Sequence, residues 1–499
     1  MSKNYLEENE LIKKVNTYID PIKKRAYEKV YMLSHPVLNK SPYTSDFHQN
    51  LFVNKLLKKA SRISRLKSWV IYYIKNIILF TIFILQAILY KIFYRRKISV
   101  GEKVIMIDSF LLMDRVLKEK QYKELYFQNI EEVFVEKGFQ TIFIPRMYGH
   151  TKKLTAVGKL FQLLQKDKRK FIFEYALLGF MDYLKIAWFV LAYPFFHFSV
   201  WQKDSSKEDR AFNNALVESL GRTGFSAYVR YLFGKNLVVK HNHIKVFSWC
   251  EFQNMEKNFY KAVNESEKDI VVNGCQFLIQ YKMYQSMFID QVDKELGITP
   301  TNVLTNGKYY SDQANQKDGV SLRYKGLFEF DQSKRDPKQS VVLLSYEVKQ
   351  SREMLEKLQG IDSKLLIKIH PATSEDAYMD LIKPEWKFVR MSVYQILYQA
   401  EMVFVAPMSG TALESVALGI PVIIVADEDR YVTNPLCEVG KNQIWDIVFS
   451  KDKLLFVYNE LLNYSHNNST EVSKLAKWYK DNFFIEPTRE QIIKVFELE

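Results

Sequence analysis

Two short polar clusters in the last third of the chain carry residue types suited to holding an anion. One is Lys368, His370 and Pro371 in LLIKIHP; the other is Ser409, Gly410 and Thr411, followed by Glu414, in APMSGTALE. Alternate residues of a strand point the same way, so Lys368 and His370 are expected on one face, with Pro371 holding His370 extended at the strand end. A cation beside a titratable imidazole is equipment for a phosphate or diphosphate. In the second cluster, small residues let a ligand approach the backbone, and amides at a helix start favour an anion. Glu414, one turn on, is placed to accept hydrogen bonds from a ribose. The plainer account of this cluster is a helix cap with Glu414 as capping partner, and the two accounts are compatible. Neither a GxxxxGK[ST] loop nor a GxGxxG turn is present.

Acidic residues at strand ends are candidates for proton transfer. Asp108 closes VIMID, and Glu251 follows KVFSWC. A carboxylate in a cleft can take the proton of an attacking hydroxyl. The plainer account of Glu251 is a first-turn carboxylate on a helix dipole, and of Asp108 an N-cap or turn residue. Gln253 and Glu256 in the same run compete with Glu251. Asp427, Glu428 and Asp429 read as solvated loop acids, and no metal site is expected.

The elements that must position these groups follow from the apolar runs. LLIKI, MVFVAP and PVIIVA are strand-length, rich in Ile and Val, and separated by helical patterns, which predicts consecutive βαβ units in a parallel sheet. Ligands of such sheets bind where strands end and helices begin. VIMID, TIFIP, IKVFSW and DIVVNG predict a second set of such units upstream. The charged segment 331–339, with Pro337, reads as a linker. The expected organisation is a helical region over 1–98, an α/β domain over 99–330 and a second α/β domain over 340–499.

At 499 residues, 47% apolar and 26% charged, the chain has ample core for two domains. Its three cysteines, Cys250, Cys275 and Cys437, are isolated, which fits a reducing compartment and gives no zinc spacing. The net charge of +14 calls for an anionic partner. Much of that charge flanks the most apolar run, Trp69 to Tyr94: Lys55, Lys58, Lys59, Arg62, Arg65 and Lys67 precede it, and Lys91, Arg95, Arg96 and Lys97 follow. Basic residues on both sides disfavour a simple crossing and favour a helix lying in the interface, or a re-entrant one, with its cations on anionic lipid; buried core helices are the alternative. A second run, Ile186 to Trp201, has the same character. No nucleic-acid-binding motif accompanies the charge, so a lipid surface is the expected partner.

The order strand, KxHP, helix, strand, SGTALExxxLGIPVII resembles the C-terminal donor-binding domain of GT-B glycosyltransferases. It is most similar to bacterial surface-polysaccharide enzymes of the HP and Ser/Thr-motif type: sialyl- and polysialyltransferases, Kdo transferases and teichoic-acid glycerophosphotransferases. The resemblance covers about residues 340–440 and is architectural over 100–330. It implies two Rossmann-like α/β domains facing a cleft and a nucleotide-activated sugar as donor, without a cofactor or bound metal. Carried over, His370 contacts the donor phosphate, with Lys368 beside it. Ser409, Gly410 and Thr411 hold phosphate and Glu414 binds the ribose. The family's acidic pair followed by glycine has no clear copy here; Glu251 stands in a similar place and is the candidate base. The expected function is glycosyl transfer to a surface polysaccharide or lipid-linked glycan at the cytoplasmic face of the plasma membrane. The chain would be peripheral or monotopic there. The alternatives are a glycerophosphotransferase and a non-catalytic membrane-bound scaffold of a polysaccharide assembly complex.

Overall fold

The computed structural model describes residues 8–53, 57–96, 101, 103–128, 130–240, 244–266, 268–281, 284–311, 316–371 and 373–499. Two parallel sheets dominate it. The first comprises β1 (Val104–Asp108), β2 (Gln140–Phe143), β3 (Lys170–Phe171), β4 (Ile244–Trp249), β5 (Ile270–Gln276), β6 (Asn302–Thr305) and β7 (Gln316–Asp318). Its spatial order is β3-β2-β1-β4-β5-β6-β7. The second comprises β8 (Gln339–Leu343), β9 (Leu365–Lys368), β10 (Lys387–Phe388), β11 (Ala400–Val405), β12 (Val422–Val425) and β13 (Trp445–Val448). Its order, β10-β9-β8-β11-β12-β13, repeats the first.

In each sheet the chain runs outward from its first strand, then returns to that strand's other side and runs outward again. The connections therefore diverge between β1 and β4, and between β8 and β11, opening a crevice at the carboxyl ends of those strands. Helices cover both faces, which is why the central strands read as continuous apolar runs. All of β1 and β12 is buried. The architecture is that of two Rossmann-like α/β domains, GT-B-like in arrangement.

The N-terminal region is not a free-standing unit. Helix α1 (Glu8–Ala26) places Leu11, Val15 and Ile19 at helical spacing against Phe212, Leu216 and Ile298. Beneath it lies a buried charge cluster. Lys23 meets Asp290 and Asp293, each at 2.6 Å, Lys40 meets Asp290 at 2.8 Å, and Lys257 meets Asp293 at 2.8 Å. Gln49 also reaches the second domain, donating to the Asp429 carbonyl and accepting from the Tyr431 amide.

The apolar run forms α2 (Arg62–Phe93), the one helix among the described residues long and apolar enough to cross a membrane. One flank packs along its whole length on the first domain, against α3 (Leu154–Lys166), α4 (Phe180–Phe198) and α5 (Lys207–Leu220). Asn76 donates to the Thr223 carbonyl (3.0 Å), Gln86 to the Thr151 carbonyl (2.6 Å), and Tyr94 accepts from the Phe171 amide (3.1 Å). Polar contacts from the middle of the helix to its C-terminal cap, all to the same domain, lay the helix on that domain's surface rather than projecting it away. It is not a core helix either, because Leu66, Val70, Ile74, Ile78, Leu85 and Ile88 on the outer flank are exposed. Helix α4 lies beside it, with Trp69 edge-on to Phe195 and Tyr73 donating to the Leu191 carbonyl. Met181, Leu184, Trp188, Leu191 and Phe195, spaced three and four apart, leave a second exposed stripe. Of the basic flanking residues, Lys55 and Lys97 lie outside the described residues.

After β4 the chain turns into α6 (Asn254–Asn264), and after β11 into α7 (Thr411–Ala417). Near the C terminus, α8 (Ser469–Phe483) covers α7. The chain then recrosses, and α9 (Arg489–Val495) ends with Phe496 against Phe134, Phe247 and Phe277 of the first domain.

Candidate active site

A cavity of about 400 Å³ opens between the domains at the β8/β11 divergence. The second domain lines it with Ser345 and Tyr346 after β8, His370 after β9, and Pro407 to Thr411 with Glu414 after β11. The first domain contributes Ile279, Tyr281, Arg323 and Tyr324. Five of the seven expected site residues, His370, Ser409, Gly410, Thr411 and Glu414, thus share one cavity.

The turn from β11 into α7 is held in an uncommon conformation. Met408 has φ +65°, a left-handed value that costs energy for a non-glycine residue. Its amide donates to the Thr433 carbonyl and its carbonyl accepts from the Tyr281 hydroxyl, at 2.9 and 2.8 Å. The amides of Ala412, Leu413 and Glu414 are spent on the turn carbonyls of Ser409 and Gly410. The Ser409 and Gly410 amides have no acceptor among the described residues, so they and the two hydroxyls remain to meet a ligand. Gly410 fits closely: a Cβ there would lie 3.2 Å from Ile279 Cδ1 across the cleft.

Glu414 accepts a 2.5 Å hydrogen bond from the Tyr394 hydroxyl. It does not act as a capping partner. Burial pushes its carboxyl up to about 6, against the opposing effects of that hydrogen bond and of Arg323. Burial lowers the His370 imidazole below its ordinary value, and the ring stands edge-on to Tyr346 at 6.0 Å.

Lys368 departs from the expectation. Its ammonium donates to the Met391 carbonyl at 2.7 Å and does not line the cavity. The reason is local: β9 ends at Lys368, so the two-residue alternation that was to align it with His370 stops two residues short of that histidine. The cation in the cleft is Arg323 instead. It stacks over Tyr126 and Trp249, at 5.4 and 5.3 Å, and among the described residues no carboxylate lies within ion-pair distance. SLRYKGLF carries no motif that marks it; only the folded chain brings it across from the first domain.

At the equivalent divergence of the first sheet, the acids sort into separate roles. Glu256 takes the helix-start position that the plainer account gave Glu251. Its carboxylate accepts from the Gln253 and Glu251 amides, at 2.9 and 2.8 Å, and meets Arg146 at 2.5 Å. Asp108 is neither cap nor turn residue. It is buried between Arg146 (3.2 Å) and Arg230 (2.9 Å) and accepts from Ser248. Glu251 remains half-buried, its oxygens accepting from Trp249 Nε1 (2.8 Å) and Gln253 Nε2 (2.7 Å). Phe252, next in sequence, has φ +51°, so both divergence turns contain a left-handed non-glycine residue. Glu251 does not line the interdomain cavity; it reaches it through Trp249, over which Arg323 stacks.

Among the described residues no group of three or more His, Cys, Asp and Glu side chains is arranged to hold a metal ion. Asp427 is engaged by Lys357 and faces Arg430.

No family model and no curated protein matches the chain. Among solved structures it is similar to MurG of Acinetobacter baumannii, at 9% identity over 80% of this chain and 100% of that one, with a TM-score of 0.44. It is also similar to the glycosyltransferase SnogD of Streptomyces nogalater (11%, 81% and 100%, TM-score 0.41). A third likeness is to the wall teichoic acid polymerase TagF (10%, 88% and 98%, TM-score 0.38). At these identities and scores no residue role is carried over, and the architecture stands on the strand order of the two sheets.

Proposed function

We propose that the chain is a nucleotide-sugar-dependent glycosyltransferase that works on the cytoplasmic face of the plasma membrane. Its acceptor would be a surface polysaccharide or lipid-linked glycan. The observation that carries this reading is the interdomain cavity, where open amides and hydroxyls of Ser409 to Thr411, His370, Arg323 and Glu414 converge. Arg323 and the Ser409–Thr411 turn neutralise the donor phosphates, and Glu414, steadied by Tyr394, accepts from ribose hydroxyls. Glu251 takes the acceptor hydroxyl's proton as the new glycosidic bond forms. The bond to the donor phosphate breaks and the nucleotide leaves with its electron pair. His370 protonates or hydrogen-bonds the departing phosphate. The two exposed stripes of α2 and α4, with their basic neighbours, seat the first domain in the interface.

Incubating the protein with membranes and a panel of nucleotide sugars and CDP-glycerol, then weighing the product by mass spectrometry, tests this reading. A hexose-, sialic-acid- or Kdo-sized increment supports it. A glycerophosphate increment would replace it with the glycerophosphotransferase, and no transfer by folded protein would favour the scaffold.

A further inference from the structure

Two smaller cavities connect the exposed helix α2 with the neighbourhood of Glu251. The first, of about 190 Å³, lies between α2 and the first domain; Leu79, Phe83, Phe225, Val229 and Met255 form most of its wall, and Arg146 and Glu174 also line it. The second, of about 250 Å³, shares Gly224, Ser226 and Met255 with it and continues past Thr44, Asn254 and Gln253 to Tyr43. Gln253 holds the Glu251 carboxylate, and Tyr43 packs on Tyr284 beside the interdomain cleft. The path is thus mainly apolar at its α2 end, apart from Arg146, Glu174 and Lys152, and gains Thr44, Gln253 and Asn254 towards Glu251.

Charge marks the apolar end. Lys152 lines the first cavity and is exposed; Lys75, one turn before Leu79, reaches the loop just before Gly224, and burial and, after it, the charge of Lys152 hold its ammonium below the ordinary lysine value. Lys75 donates to the Gly221 and Arg222 carbonyls, and among the described residues neither lysine meets a carboxylate. Two neighbouring cations without a counter-ion, at the mouth of an apolar crevice on a helix with an exposed apolar flank, complement a chain that ends in a phosphate.

We propose that this crevice is the acceptor subsite. It takes a membrane-embedded polyprenyl-type phosphate, the hydrocarbon between α2 and the first domain, the phosphate at Lys75 and Lys152, and the glycan headgroup running towards Glu251. The assignment of the headgroup rests on the glycosyl-transfer reading; the hydrocarbon and phosphate contacts do not.

Gly224 lies where the two cavities meet. A Cβ there would have only Asn76 Oδ1 within 4 Å, at 3.8 Å, so a larger side chain grows into open crevice. The test uses vesicles carrying a diazirine-bearing prenyl phosphate, with diazirine-bearing prenyl alcohol and phosphatidylglycerol as comparisons. The expected result is cross-links at Leu79, Phe225 or Met255 from the prenyl phosphate above both comparisons. They should fall severalfold in Gly224→Leu and, independently of folding in that variant, in the surface change Lys152→Glu. Cross-links confined to the exposed stripe at Ile74, Ile78 and Trp188 would overturn the proposal, as would equal labelling by phosphatidylglycerol. Nucleotide binding is measured on the same samples. Its absence alongside crevice labelling would remove the glycosyltransferase reading and leave a lipid-phosphate site; its presence without labelling would do the reverse.

Discussion

Glu414 is the residue whose chemistry is most directly testable, because burial pushes its carboxyl up to about 6 and the proposed donor site uses it as an acceptor. Above that value the carboxylate can receive two ribose hydroxyl bonds; below it, protonation removes acceptor capacity. Donor affinity is therefore expected to fall as pH drops through 6, and Glu414→Gln should flatten that dependence at a uniformly weaker affinity, measured by calorimetric titration. Arg323→Ala should weaken nucleotide binding about tenfold or more, the scale of a lost hydrogen bond to a charged group, with little change in unfolding temperature because the side chain is exposed. Lys368→Ala should leave affinity unchanged, since its ammonium serves the Met391 carbonyl. His370, Ser409, Gly410, Thr411 and Glu414 were legible in the sequence because small polar residues directly after apolar runs mark strand-to-helix turns. Arg323 was not legible, since its role arises from a contact between two domains that no local pattern encodes. Lys368 failed because alternation was extended two residues beyond the strand, to His370.

At the scale of elements, the β4–α6 turn depends on Arg146. Its guanidinium joins Asp108 to Glu256 and donates to the Trp249 carbonyl at 2.9 Å, fixing the turn that carries Glu251. Removing one partner from a buried ion network typically costs ~3–5 kcal/mol. Arg146→Met should lower unfolding free energy by about that amount in urea titrations. The sequence pattern gave both acids but not their division of labour, because a carboxylate at a strand end has the same signature whether it is a buried ion-pair partner or faces a cleft. Helices α2 and α4 were legible as apolar runs with basic surroundings; which flank stays exposed was not, since both are apolar nearly all round. Trp188→Asp together with Leu184→Asp, both on the exposed stripe, should reduce flotation with anionic vesicles severalfold. Unchanged flotation would remove α4 from the membrane-facing surface.

Across the whole molecule, buried histidines tie the N-terminal region to the first domain and make stability depend on pH. His35 and His197 stack at 4.4 Å, and burial holds both below the ordinary imidazole value, His197 at about 4; His48 is likewise at about 4. A depressed value means the unfolded chain binds the proton first. The contribution of His48 and His197 is therefore complete above about 6.5 and is lost as pH falls towards 4, by ~1.4 kcal/mol per pH unit for each, and that of His35 is lost in the same direction. Urea unfolding at pH 7.5 and 5 should show that loss, and His48→Gln should reduce it. The two-domain plan was legible from strand-length apolar runs, whereas the docking of residues 8–53 was not, because its lysines and aspartates read as surface charges until they are folded together. The central claim is that the interdomain cavity binds a nucleotide. Calorimetric titration of the full chain with CMP, CDP, UDP, GDP and TDP tests it most directly, with Arg323→Ala and Glu414→Gln beside it. One nucleotide class should bind, and more weakly in both variants. Folded protein that binds none of them, or binds one equally well in both variants, would contradict it.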